Sequence, residues 1–442
     1  MKKVVSVLLV LITVVVLSAC GKKTADNEIT FGWWGTSDRN VATYRAIELF
    51  EEKYPQYKVK GEQSTWNGYQ QALNNKLNRG TEADVFQVNY NWIYSMYGKD
   101  YFMDITELGI DLSKYPTDEH KPLTVDGKVL GLSVSETGYI FYLNQKVYED
   151  AGVSFEGDRI IPETWEELMV AGETIQAHNS SHYALGRLDA QQVAILMFSY
   201  LAQKTGKNVI NENNQLNFTQ AELVDGFNFI SDLRSTGVLI PSNAIDTHID
   251  GPTNPNWTQQ KYGGILQWNT AISEYQNTLP SDANLVMAGM FQQASGESLG
   301  MYKKVSMAYA VSKRVEGSKE KQEAVKTFIE FMTTDPEAVA ILGVDRGVSS
   351  NTDTQTALKA VSDADYSNSL EWKGHEVVQS MYNHQLEESI NLYIHPYYEH
   401  NTFRAIYEGP IESFLLNNIN ATEAASRIIS KFNAELKRIM ED

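Results

Sequence analysis

The chain has 442 residues, a net charge of −19 from 37 Lys and Arg against 56 Asp and Glu, and a single cysteine. That balance argues against nucleic acid or an anionic membrane surface as partner, and one cysteine excludes an internal disulfide. The composition is instead aromatic, with 24 Tyr, 16 Phe and 8 Trp beside only 8 His.

Lys2 and Lys3 precede an apolar run from Val4 to Leu17, the build of a secretory signal. The run is shorter than the roughly 20 residues of a spanning helix. Leu17-Ser18-Ala19-Cys20-Gly21 resembles a bacterial lipobox. On that resemblance residues 1–19 are removed, Cys20 becomes the lipidated N-terminus, and residues 20–28 form a short flexible tether. The remaining 423 residues carry a net charge of −21 once Lys2 and Lys3 are gone, and their number suits two or three domains, two lobes being the first expectation.

From Ile29 the pattern alternates. Ile29–Trp33 is a short apolar strand, Thr36, Ser37 and Asp38 offer N-caps, and Val41, Tyr44, Ile47, Phe50 and Tyr54 recur at helical spacing until Pro55. Tyr57–Glu62 reads as a second strand, Asn67–Leu77 as a second helix, and Ala83–Val88 as a third strand after the Gly80 break. A βαβαβ opening implies a parallel sheet with helices on both faces. Residues 104–131 are loop-rich, and strand character resumes at Gly138–Leu143. Helix-length patterns follow at Pro162–Ala177, Gln191–Lys204 and Gln220–Thr236, then strands at Tyr262–Trp268 and Met307–Ser312. Lys319–Met332, Glu399–Leu416 and Ala421–Met440 close the chain as helices. There is no internal repeat.

Ligands of parallel α/β sheets sit beyond the carboxyl ends of the strands. Trp33 and Trp34 follow the first strand, Trp66 and Asn67 the second, Asn89, Asn91 and Trp92 the third, and Trp268 and Asn269 the strand after Gly264. Tryptophan suits the apolar face of a pyranose, and an amide donates and accepts at sugar hydroxyls. Core packing is the competing expectation for each ring; Trp165, at a helix start, reads as structural.

Enzyme signatures are broken. His375-Glu376-Val377-Val378-Gln379 lacks the second histidine of a zinc-protease helix, and Gly131-Leu132-Ser133-Val134-Ser135 lacks the closing glycine of a nucleophile elbow. No phosphate loop or metal-ligand spacing is present, so no cofactor is expected. Paired carboxylates for glycoside cleavage stay open among so many acids, which keeps a surface-anchored glycan-degrading enzyme as the alternative.

Several stretches together resemble the family 1 extracellular solute-binding proteins of sugar ABC importers. They are Ile29-Thr30-Phe31-Gly32-Trp33-Trp34-Gly35, Leu49-Phe50-Glu51-Glu52-Lys53-Tyr54-Pro55, Gly80-Thr81-Glu82-Ala83-Asp84-Val85-Phe86-Gln87, Asp126 to Leu132, Phe141-Tyr142-Leu143-Asn144 and Pro162-Glu163-Thr164-Trp165. The resemblance implies an α/β, two-lobed periplasmic-binding-protein-like fold with a hinge of several crossing segments, near Ser135, Trp268 and Val311. Residues 26–134 plus 269–310 would form lobe 1, and 135–268 plus 311–442 lobe 2. It further implies a lipid-anchored monomer on the extracellular face of the cytoplasmic membrane, as on a Gram-positive cell. That receptor captures an oligosaccharide in the interlobe cleft and closes around it, then delivers it to permease subunits with their ATPase.

Within the family, Trp33-Trp34-Gly35 to Arg39, Lys58 to Glu62 and Trp66-Asn67-Gly68 look most like binders of oligogalacturonides and related uronates. Asn40 stands where that subgroup carries a histidine, and neutral or host-glycan oligosaccharides remain alternatives. The candidate ligand-binding set is Trp33, Trp34, Arg39, Trp66, Asn67, Asn89, Asn91, Trp92, Glu136, Trp268, Asn269 and Arg346. Trp66 and Trp268 are expected to be stacking platforms from opposite sides of the cleft. Arg39 is expected to pair a carboxylate beside a helix N-terminus, with Arg346 as a second cation.

Overall fold

The computed structural model describes residues 25–35, 37–116, 120–155, 162–241, 251–297, 299–300, 302–344, 346–361, 369–387, 398 and 401–441. Cys20 and the signal-like segment lie outside the described residues.

The opening folds as its periodicity predicts. Strand β1 (Glu28–Trp34) leads into the helix Ser37–Lys53, β2 (Lys58–Ser64) into the helix Tyr69–Arg79, and β3 (Val85–Val88) into the helix Tyr90–Met96. β1 lies between β2 and β3 and runs parallel to both. Gly80, in the left-handed region at φ 64°, ends the second helix and returns N–H to the carbonyls of Leu77 and Lys76. Beyond a stretch of short turns and the hairpin β4 (Thr124–Val125) and β5 (Lys128–Val129), β6 (Leu132–Asn144) is 13 residues long. Almost every β6 residue is buried, so the strand is covered on both faces and does not alternate in polarity.

β6 joins the two halves of the molecule. Its first part, from Leu132 to Tyr139, pairs antiparallel with β9 (Tyr302–Val311). Its last part, from Tyr139 to Asn144, pairs with β7 (Gly264–Trp268) and β8 (Leu285–Gly289). β9 in turn pairs with β3, so one seven-stranded sheet, β2-β1-β3-β9-β6-β7 with β8 also on β6, runs through both halves.

The β6–β9 register shifts on either side of Ser135, near which a crossing is expected. The β9 crossing lies at Val305–Met307, which face Glu136 and Ser135, rather than at Val311, which pairs with Val85 inside the first half. A third segment, residues 346–350, packs against the same point. Ser349 bridges to Ser135, Ser350 N–H donates to the Val134 carbonyl at 3.1 Å, and the Ser133 and Ser350 hydroxyls meet at 2.7 Å. Gly347 makes that approach possible: at φ 95°, a Cβ there would meet Thr270 at 2.8 Å and Ser135 Oγ at 2.9 Å.

Two expected lobe assignments are corrected. Trp268 is not a crossing, because β7 before it and β8 after it both pair with the same end of β6. Residues around 269–292 therefore pack in the second half, where Trp165 N–H also donates to the Gln292 carbonyl at 3.0 Å. Conversely the helix Lys319–Thr334 packs in the first half, with Phe328 at 5.2 Å from both Phe31 and Phe50. The second half is otherwise the helical one anticipated. The helices Trp165–His178, Ala190–Thr205 and Gln220–Ser235 each start with a complete capping box, at Thr164 with Glu167, Asp189 with Gln192, and Thr219 with Glu222.

Candidate functional site

Strand pleating sends the neighbours Trp33 and Trp34 to opposite faces. Trp33 is fully buried, stacked at 5.1 Å on Phe31, and its Nε1–H donates to Asn40 Oδ1 at 2.9 Å. It belongs to the core under the helix Ser37–Lys53 and presents no face to a ligand, contrary to expectation. Asn40 thus serves as its acceptor.

Trp34 turns the other way, into a cluster at the carboxyl ends of β1, β2 and β3. Its ring centroid is 5.2 Å from Trp66, 5.2 Å from Tyr69 and 5.4 Å from Trp92. Trp66 stacks on Trp92 at 5.4 Å and 26°. Trp34 and Trp92 are 6% exposed whereas Trp66 is 52% exposed, so two buried rings support one that is open to solvent. Tyr69 is pinned underneath by its hydroxyl, which donates to the Gln87 carbonyl at 3.0 Å. Asn67 is exposed beside Trp66, and Asn89 and Asn91 are partly buried around the start of the helix that carries Trp92.

Across the sheet, Trp268 pairs in register with Tyr139 and stacks on it at 3.7 Å. Lys304 Nζ lies over the Trp268 ring at 4.3 Å. A ring 3.7 Å away leaves no room for an ammonium on the same face, so both faces of Trp268 are covered. It is therefore not the bare platform the sequence suggested. Asn269 is also structural, being fully buried and accepting at Oδ1 from Gly138 N–H at 2.9 Å and from the Thr137 hydroxyl at 3.0 Å. Glu136 is 3% exposed, ion-paired with Lys303, and accepts from Gln379 Nε2. Its carboxylate is committed to the hinge rather than to a ligand.

The charges of Arg346 and Arg39 both reach Tyr309, which packs edge-on against Phe31 in the core under the helix Ser37–Lys53. Arg346 is 4% exposed; its Nη2 donates to the Thr43 hydroxyl at 2.6 Å, and its carbonyl accepts from Ser135 Oγ. Burial pushes the Tyr309 hydroxyl pKa up, and the charges of Arg346 and Arg39 pull it back. These contacts join the first helix, β6 and the third crossing segment. Tyr69, Gln87, Tyr139, Lys304 and Tyr309 escaped the sequence reading; of these only Lys304, the second of two adjacent charges just before an apolar strand pattern, carried a local signal. Among the described residues, no group of three His, Cys, Asp or Glu is arranged to hold a metal, and no helix is long and apolar enough to cross a membrane.

A sheet shared by two α/β halves, with an aromatic wall at the carboxyl ends of its parallel strands, defines a two-lobed binding protein. The chain belongs to the bacterial extracellular solute-binding protein family, whose model matches residues 45–368. A periplasmic solute-binding protein of Pectobacterium atrosepticum is similar over 93% of this chain and 99% of its own, at 26% identity and a TM-score of 0.81. A periplasmic oligogalacturonide-binding protein of Yersinia enterocolitica, solved with saturated digalacturonic acid, is similar over 93% and 99%, at 26% identity and a TM-score of 0.77. A Brucella abortus protein with a binding-protein name is 25% identical over 178 residues; the match spans 38% of this chain and 40% of that relative.

Proposed function

We propose that this protein is a lipid-anchored extracellular receptor that captures an oligosaccharide between its lobes and delivers it to an ABC importer. The observation that carries the reading is Trp66, half-open to solvent on a bed of Trp34, Trp92 and Tyr69 at the carboxyl ends of the parallel strands. An exposed indole held rigid by buried rings stacks on a pyranose at little conformational cost. The family supports the importer role, and Cys20 supports the anchor.

Within this reading the ligand is a uronate-bearing oligosaccharide. The likeness to the digalacturonate-bound Yersinia protein supports that choice. Incubation with neutral and acidic oligosaccharides tests it. A receptor raises its melting temperature by mass action and leaves the sugar intact, whereas an enzyme shortens it. Tight binding of a neutral oligosaccharide with uronates ignored removes the acidic assignment and leaves the receptor. Chain shortening removes the receptor.

A further inference from the structure

The start of the described chain is fastened to the body of the first half. Lys321, 6% exposed near the start of the helix Lys319–Thr334, donates from Nζ to the Ala25 carbonyl at 3.0 Å and to the Glu28 carbonyl. The same ammonium lies 3.5 Å from Asp84 Oδ2, which also accepts from the Thr30 N–H at 2.9 Å and the Thr30 hydroxyl at 3.0 Å. Asn27 adds a bond of its own, its carbonyl accepting from Lys58 N–H at 2.9 Å. This buried, charge-assisted clasp holds residues 25–28 at the amino ends of β1 and β2, the edge opposite Trp34 and Trp66. β1, seven residues long, covers about 20 Å between the two edges. β6 runs parallel to β3 through their shared partner β9, with Ser133 and Val88 both opposite Ala308, and continues to Asn144 in the second half. That continuation adds roughly 35 Å of strand.

We infer that the first half is the membrane-proximal half of the anchored receptor, its amino edge turned to the lipid surface by the shortness of the tether. This rests on the proposed lipid anchor at Cys20. From Cys20 to Ala25 is a step of five residues, which at full extension span at most about 18 Å. The reversed pose lifts Ala25 above the lengths of β1 and of the β6 continuation together, far beyond that reach. The clasp matters because residues 25–28, if unfastened, would lengthen the tether: the eight residues from Cys20 to Glu28 reach about 28 Å, more than the length of β1. Charge does not set this pose. The groove beside the clasp carries Asp26, Glu320 and Glu323 together with Lys319, and the chain as a whole is strongly negative, so an anionic lipid surface repels it. The aromatic wall, at the carboxyl ends of the parallel strands, stands at the edge turned away from the bilayer.

The test is resonance energy transfer from the full-length lipidated protein to acceptor-labelled lipid in phosphatidylcholine vesicles. Because the anchor occupies the chain's single cysteine, a cysteine introduced elsewhere is the one free thiol for a donor dye. Lys319→Cys places the dye at the amino edge, and Glu149→Cys places it past the far end of β6, in the helix Gln145–Asp150; both positions are exposed. Transfer should be at least about twofold greater from Lys319→Cys, as the tether reach and strand lengths require. The difference should persist in about 1 M salt, where charges more than about 3 Å apart are screened. Inserting about twelve Gly and Ser residues between Thr24 and Ala25, which leaves every described residue in place, should bring the two transfers close to equality. Equal transfer from the two dyes without the insertion, or greater transfer from Glu149→Cys, overturns the inference while the lipid anchor stands. A difference that survives the insertion, or that salt abolishes, overturns tether length as its cause. A protein whose mass shows no lipid and which stays off the vesicles removes the anchor reading and this inference together.

Discussion

The Glu136–Lys303 pair offers the sharpest separation of hinge from ligand site. Both side chains are 4% exposed, and Gln379 closes the triangle by donating Nε2 to the carboxylate while its Oε1 accepts from Lys303 Nζ at 3.4 Å. Removing one charge leaves the other buried and uncompensated, which costs about 3–5 kcal/mol, whereas replacing both by apolar residues of similar volume is commonly neutral or stabilising. Glu136→Met and Lys303→Met should each lower the urea midpoint by that free energy at unchanged m, and the double variant should recover most of it. Fluorescence and circular dichroism transitions must coincide for the comparison to hold. If the singles instead lose ligand affinity at wild-type stability, Glu136 belongs to the binding site. If the double variant loses the sum of the singles, the pair is not coupled and the hinge assignment fails.

The two neighbouring tryptophans of β1 and the exposed ring above them should part company. Trp33→Ala empties a fully buried site and strands Asn40, at a cost of about 4–6 kcal/mol. Trp66→Ala removes a half-exposed ring, so unfolding free energy should fall by no more than about 3 kcal/mol while oligosaccharide affinity falls about tenfold; the opposite pattern sinks the stacking assignment. His375 is buried, and that burial, with a smaller contribution from Lys303, lowers its pKa to about 4. The folded state thus resists a proton that the unfolded chain takes up near its ordinary value of about 6.5, so stability should drop as pH falls from about 6.5 to about 4. His375→Gln should flatten that part of the curve measured by urea midpoints, and an unchanged slope would show that other groups carry it. Cys20→Ser should release the protein from the membrane fraction, and wild-type fractionation of the variant would end the lipid-anchor reading.

Much of the first half was legible because its signals are local. The spacing of Val41, Tyr44, Ile47 and Phe50, the stop at Pro55 and the Gly80 break mark βα units whose hydrogen bonds close within a few residues. The aromatic residues after β1, β2 and β3 could be collected at one edge because parallel strands share a carboxyl end. The alternation of Trp33 and Trp34 was also implicit, but which of them meets the core depends on where the helix Ser37–Lys53 packs.

What tertiary structure decided is the partnership of distant residues. Tyr139 covers Trp268 because β6 and β7 are in register across more than a hundred residues, and Lys304 covers its other face from a third strand. Glu136 looks like any exposed acid until Lys303 stands beside it. The split of the chain into halves likewise follows from β6 having β9 along one part and β7 with β8 along the other. Periodicity reports only that a residue faces inward. Which neighbour it finds there is set by sheet order and register, and these are chosen by the burial of the whole core rather than by any local stretch.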